Sequence, residues 1–196
     1  MKEKFEWIHS WCDHTEKNDL PRIVLVGDSI THNYQEFVRQ ALHGKAYVDY
    51  IATSYSIDEA FYNVLIENFV NDSPYAILHF NFGLHGIHLD KSEYRERTES
   101  LLRKIAKNKK VILATSTIVY QENNVFLNEK WMLRVWERNK ILQEIAAKNG
   151  YGIDDLFTVS KKIEIKLRYK DGTHYTSAGY EVLANEVASS ILKILS

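Results

Sequence analysis

The chain has little cysteine and little proline: one Cys12, and Pro21 and Pro74, in 196 residues. A single thiol closes no internal disulfide, which suits a reducing compartment and excludes a disulfide-stapled scaffold. Nowhere do about 18 apolar residues run together, the length a membrane span needs. The opening stretch MKEKFEWIHSWCDH carries early positive charge but no apolar segment. It does not read as a signal peptide, and the cytoplasm is the expected location. Charge of one sign is also lacking: 25 basic residues face 26 acidic ones, for a net charge of -1. That balance makes no case for nucleic acid or an anionic membrane as partner. The short basic cluster at 107–110, KNKK, reads as a solvated helix end. Three signatures are missing: the G-x-S-x-G elbow, the glycine fingerprint of dinucleotide sites and the P-loop.

What is present is a succession of apolar runs. RIVLVGDS (22–29), AYVDYIATS (46–54), YAILHFNFG (75–83) and KVILATSTIV (110–119) are rich in β-branched and aromatic residues. They are apolar on both faces, as strands buried in a parallel sheet are. Helical patterns lie between them, the longest over about 128 to 148 and a last one from Ser177 to Leu195, with Ser177 or Thr176 as N-cap. The alternation predicts an α/β doubly wound sheet with right-handed crossovers, forming one domain over 21–196. Trp7 and Trp11, at i and i+4, predict a helix over about 3 to 16, in a segment (1–20) that packs on the outside of that domain. Cys12 falls on this helix and is not expected to be a nucleophile.

In a doubly wound sheet, ligands bind beyond the carboxyl ends of the strands. The residues there are Asp28-Ser29, Thr53-Ser54-Tyr55, Asn81 to His85, and the polar, aromatic-bearing connection 120–131, expected to contact substrate. Near the C-terminus, YKDGTHYTSAGYEVLA sets Asp171 and His174 three residues apart. Such a turn brings a carboxylate to an imidazole, fixes its tautomer and favours the imidazolium. A serine at a strand end facing this histidine is an activated nucleophile, and its own N–H, at a helix start, suits an oxyanion. Asp28 is expected to shape the turn by accepting backbone N–H bonds. His85 and His88 have a spacing some metal sites use, but no third ligand accompanies them, and no metal is expected.

GDSI (27–30) together with DGTH (171–174), in that order and followed by TSAGYEVLA, resembles the SGNH, or GDSL, hydrolase superfamily over about residues 21 to 196. The resemblance implies a flavodoxin-like three-layer sandwich around a central parallel sheet of about five strands. It also implies hydrolysis of esters through an acyl-serine, with no cofactor. Ser29 would be the nucleophile, His174 the base and Asp171 its orienter. The family's second block carries a glycine whose N–H donates to the oxyanion; Tyr55 or Ile57 stands in that place here, and its backbone N–H would serve. Its third block reads G-x-N-D, and here FNFGLHG puts His85 at the Asn position. His85, or Asn81 on the face it shares with His79, would then supply the side-chain oxyanion donor. The N-x-G-L-H-G form resembles a subgroup often encoded with carbohydrate-processing genes. The expected function is a serine esterase removing a small acyl group, acetyl above all, from an oxygen ester, with an acylated sugar as substrate. The alternatives are an acyltransferase using the same serine and a non-catalytic binding module on this scaffold.

Overall fold

The computed structural model describes residues 4–122 and 124–196. Its element order is β1 (Ile8–Trp11), β2 (Arg22–Gly27), α1 (Ser29–Ala41), β3 (Tyr47–Thr53), α2 (Ala60–Asp72), β4 (Ile77–Phe80), α3 (Lys91–Ile105), β5 (Lys110–Ala114), α4 (Glu129–Asn149), β6 (Gly152–Asp154), α5 (Leu156–Lys162) and α6 (Ser177–Leu195). The strands form one sheet in the order β1-β3-β2-β4-β5-β6. All neighbours are parallel except β1, which runs antiparallel to β3.

The alternation of side chains along β2 explains the three layers. Ile23 and Leu25 join a core with Tyr34 and Val38 of α1 and Leu183 and Val187 of α6. Val24 and Val26 point the other way, into a core with Ile66 of α2, Leu101 of α3 and Leu142 of α4. A strand buried on both faces has no polar side to present, hence the unbroken apolar runs. From β2 the chain passes to β3 on one side and then returns to β4 on the other. The carboxyl end of β2, where Gly27 leads to Asp28 and Ser29, therefore lies at the switch point.

The N-terminal segment departs from the expectation. Residues 8–11 form a strand, paired Ile8 with Thr53 through Trp11 with Tyr50, where the sequence predicts a helix; its first residue, 3, lies outside the described residues. A spacing of four satisfies both the helical and the two-residue strand period. The open edge of β3, with backbone groups to pair, decides between them. Cys12 accordingly follows an edge strand and is exposed. The sheet has six strands where about five are expected, β1 being the antiparallel edge strand. No described helix is long and apolar enough to cross a membrane.

Candidate active site

Asp28 starts the site by ending β2. Its backbone is extended, and its carboxylate accepts the Ile30 N–H at 3.0 Å, capping α1. Ser29 is the first residue of that helix, so its own N–H has no intrahelical acceptor. Asp28 is 1% exposed. Burial pushes its carboxyl above the ordinary value, against the pull of the His85 and His174 imidazoles and the Ile30 N–H.

The turn before α6 supplies the partners. Asp171 Oδ1 accepts the N–H groups of Thr173 (2.8 Å) and His174 (2.9 Å), while its Oδ2 lies 2.8 Å from His174 Nδ1. His174 Nε2 lies 2.9 Å from Ser29 Oγ. Partial burial raises the Asp171 pKa, but the two backbone bonds and the imidazole outweigh it and hold the carboxyl below its ordinary value. The structure thus brings Ser29, His174 and Asp171 into one hydrogen-bonded row across 145 residues of sequence.

Gly172 lets the turn close. Its φ is +77°, and a Cβ there would stand 2.2 Å from the Tyr120 carbonyl oxygen. Its own carbonyl accepts the Tyr120 N–H at 2.8 Å. Gly172→Ala combines left-handed strain with a backbone clash, so it should cost about 1–3 kcal/mol. It should also displace Asp171 and slow labelling of Ser29 by a fluorophosphonate probe more than the stability loss alone would. Thermal melting read beside the labelling rate checks this, and unchanged values in both would refute it.

A cleft of about 450 Å³ opens over the row, lined by Trp7, His9, Ser29, His32, Leu84, His85, Trp131, Thr173 and His174. Besides Ser29 itself, only His85 of the proposed oxyanion residues lines it; Ile57, like Asn81, is buried. The Tyr55 N–H donates to Thr53 Oγ1 at 3.2 Å, and its ring packs on Phe61. Asn81 is buried, its N–H donating to the Val26 carbonyl. Beside it on β4, His79 pairs with Asp154 at 2.9 Å in a wholly buried contact, edge-on to Tyr34 of α1. The shared face of His79 and Asn81 is therefore an interior one. His88 lies 3.1 Å from Asp58 Oδ2. Among the described residues no group of three or more His, Cys, Asp or Glu is placed to hold a metal ion.

Two lining residues, His32 and His9, escape the sequence reading, and a third, Trp7, is placed by it on an outer helix. His32 follows Ser29 by three positions, on the same face of α1. Its ring stacks on His9 with centroids 4.2 Å apart and lies 5.9 Å from Trp7. Burial, then the His9 charge, lowers the His32 pKa. Trp7 just precedes β1, and its ring packs on that of His9 with centroids 5.3 Å apart. Trp7 is tied down by its N–H to Ser54 Oγ (2.9 Å) and by its carbonyl, which accepts from Thr53 Oγ1 (2.7 Å). Reading the segment as an outer helix hid this. From the connection 120–131, Trp131 reaches the cleft, whereas Val125, Phe126 and Leu127 line a separate hollow with Leu133 and Trp136. Asn123 lies outside the described residues.

No family model matches the chain, and no curated protein matches it. Solved structures do. A member of the lipolytic G-D-S-L family from Veillonella parvula aligns at TM-score 0.67 and 19% identity, over 86% of this chain and 96% of its own. The chain has the SGNH, or GDSL, hydrolase fold. An acetylxylan esterase from Geobacillus stearothermophilus shares the SGNH fold at TM-score 0.71 and 15% identity, covering 87% of this chain and 94% of its own. So does the catalytic domain of a peptidoglycan O-acetyltransferase from Streptococcus pneumoniae, at TM-score 0.66 and 19% identity, covering 89% and 94%. In this SGNH-fold chain the row of three side chains stands at the switch point of the sheet, where the fold opens to ligands.

Proposed function

We propose that the protein is a serine esterase that removes a small acyl group from an oxygen ester through an acyl-serine. The observation that carries this reading is the row from Asp171 through His174 to Ser29, with contacts of 2.8 and 2.9 Å. His174 takes the Ser29 proton at Nε2 as Oγ attacks the ester carbonyl carbon. The Ser29 N–H and the His85 ring stabilise the oxyanion. His174 then gives its proton to the departing alcohol oxygen. Water, deprotonated by the same ring, attacks the acyl-serine, and the carboxylic acid leaves as Ser29 recovers its proton. Asp171 holds the Nδ1–H and stabilises the imidazolium. No step calls for a cofactor.

The lining argues for a short acyl group. Leu84 is the one aliphatic side chain in it, so a long chain would find little apolar surface to cover. The rest is two indoles, four imidazoles and two hydroxyls. An acylated sugar fits such a wall, its C–H faces on the indoles and its hydroxyls on the ring nitrogens. The test is labelling with a fluorophosphonate probe, followed by a comparison of acetyl with octanoyl esters. Absence of labelling in well-folded protein would refute the reading, and a preference for octanoyl would refute the short acyl group. Trp7→Ala should raise KM for an acetylated monosaccharide about tenfold, the equivalent of about 1.4 kcal/mol of lost ring contact. Steady-state kinetics on such a sugar decide it, and an unmoved KM would remove Trp7 from the alcohol side.

A second reading is transfer of the acyl group to another alcohol. The same wall would hold an acceptor hydroxyl as well as a leaving one, and the O-acetyltransferase domain shares the fold. A new ester formed on adding sugar acceptors, at the expense of free acid, would favour it.

A further inference from the structure

Behind the loop that carries His85 lies a buried cation. Arg138 of α4 is 2% exposed. It makes no ion pair with any described carboxylate; Glu137, next to it, pairs instead with Lys91 and Arg134. Arg138 Nη2 donates to the Gly86 carbonyl, and its guanidinium lies 4.7 Å over the Tyr94 ring. Its Nε and Nη1 have no hydrogen-bond partner among the described residues. Burial lowers its pKa, yet a guanidinium keeps its proton inside proteins. A charge taken from water without a counter-ion is costly. A neutral side chain of similar length would fill the space more cheaply, so its stability value does not explain it.

Its position does. Gly86 directly follows His85 and is left-handed, with φ +72°, and a Cβ there would stand 2.4 Å from Ser56 Oγ. The Gly86 carbonyl also accepts the Leu89 N–H at 2.9 Å. At the other end of the loop, the Tyr94 hydroxyl donates to the Phe82 carbonyl at 3.0 Å. Arg138 and the tyrosine it stacks on thus hold the two carbonyls that flank Gly83, Leu84 and His85. Asn139, next on α4, clamps the neighbouring loop by accepting the Ser116 N–H and donating to its carbonyl.

We propose that Arg138 is a positioning residue for the oxyanion donor. It fixes the Gly86 peptide, and through it the direction in which His85 faces Ser29. This rests on the reading of Ser29 as nucleophile and His85 as donor.

Two variants separate the parts. Arg138→Met removes charge and donor but keeps an apolar stem of similar reach, and Arg138→Lys keeps the charge while losing the planar fork. With 4-nitrophenyl acetate, Arg138→Met should lower kcat about 30- to 100-fold with KM within threefold, and Arg138→Lys should recover part of the loss. In a His85→Ala background, removing Arg138 should cost no more than about twofold, because it acts through His85. A full multiplicative loss in the double variant would overturn the proposal, as would a fall in kcat with no change in the His85 ring. That ring is read by its nitrogen NMR signals, which should move in both Arg138 variants while a merely structural residue would leave them in place. The NMR arm needs no turnover, and Arg138→Lys carries it if Arg138→Met does not fold. Fluorophosphonate labelling of the unmodified chain reports separately on the esterase reading.

Discussion

Ser29→Ala should abolish fluorophosphonate labelling and lower ester hydrolysis by about 10⁴- to 10⁶-fold, the range seen when a nucleophile that works as a unit with its base is removed. The fold should not notice. Among the described residues, Ser29 Oγ hydrogen-bonds only with the His174 ring, and the Ser29 carbonyl, which accepts from Asn33 Nδ2, is backbone and remains. Capping of α1 belongs to Asp28 and is untouched. Melting should therefore stay within a few degrees of the parent. Labelling at another residue, or turnover within tenfold of the parent, would remove Ser29 from the mechanism. A melting temperature far below the parent would show that the hydroxyl has a structural duty the hydrogen bonds do not reveal.

Asp171→Asn should lower kcat about 100-fold, and the geometry says why. Asp171 Oδ1 accepts two backbone N–H groups, so an asparagine must keep its oxygen there. Its NH₂ is then forced toward His174 Nδ1. That ring must turn its acceptor nitrogen to the amide and carry its proton on Nε2, where it cannot take one from Ser29. A buried orienting carboxylate is worth about 10⁴ when lost in this way. Here the Asp171 side chain is 51% exposed, and water screens its charge, so the smaller figure is expected. The substitution also changes the response to acid. Asp171 titrates below its ordinary 3.8 in the fold, so its contribution to stability is present above that value and is lost as pH falls through the lowered one. Urea midpoints between pH 5 and 3 should fall less steeply for Asp171→Asn than for the parent. Equal slopes would show that the carboxylate is not held by these bonds.

The strands β2 to β5 were legible because each is buried on both faces and carries no compromise with water. The helix α6, Ser177–Leu195, matches the expected span, and Thr176 is its cap. β6 and α5, of 3 and 7 residues, are too short for a period to register. Among site residues, Ser29, Asp171 and His174 stood out because two spaced motifs bracket the chain in the right order. His85 and Asn81 could not be separated by sequence, since both lie beyond the same strand. The rotation of the loop after β4 puts one in the cleft and the other in the interior, and no local pattern records that rotation.

The sequence by itself determined the alternation of strand and helix, the end of β2 where Ser29 stands, and the turn that joins Asp171 to His174. These depend on neighbours within a few residues: burial period, a cap, a left-handed glycine. Only the tertiary structure decided that residues 8–11 pair with β3 and carry Trp7 and His9 into the cleft, and that Arg138 of a distant helix holds the peptide after His85. Both outcomes turn on contacts between segments far apart in the chain. An open strand edge and a buried carbonyl must be satisfied by whatever the fold brings to them, and a one-dimensional pattern does not say what that will be.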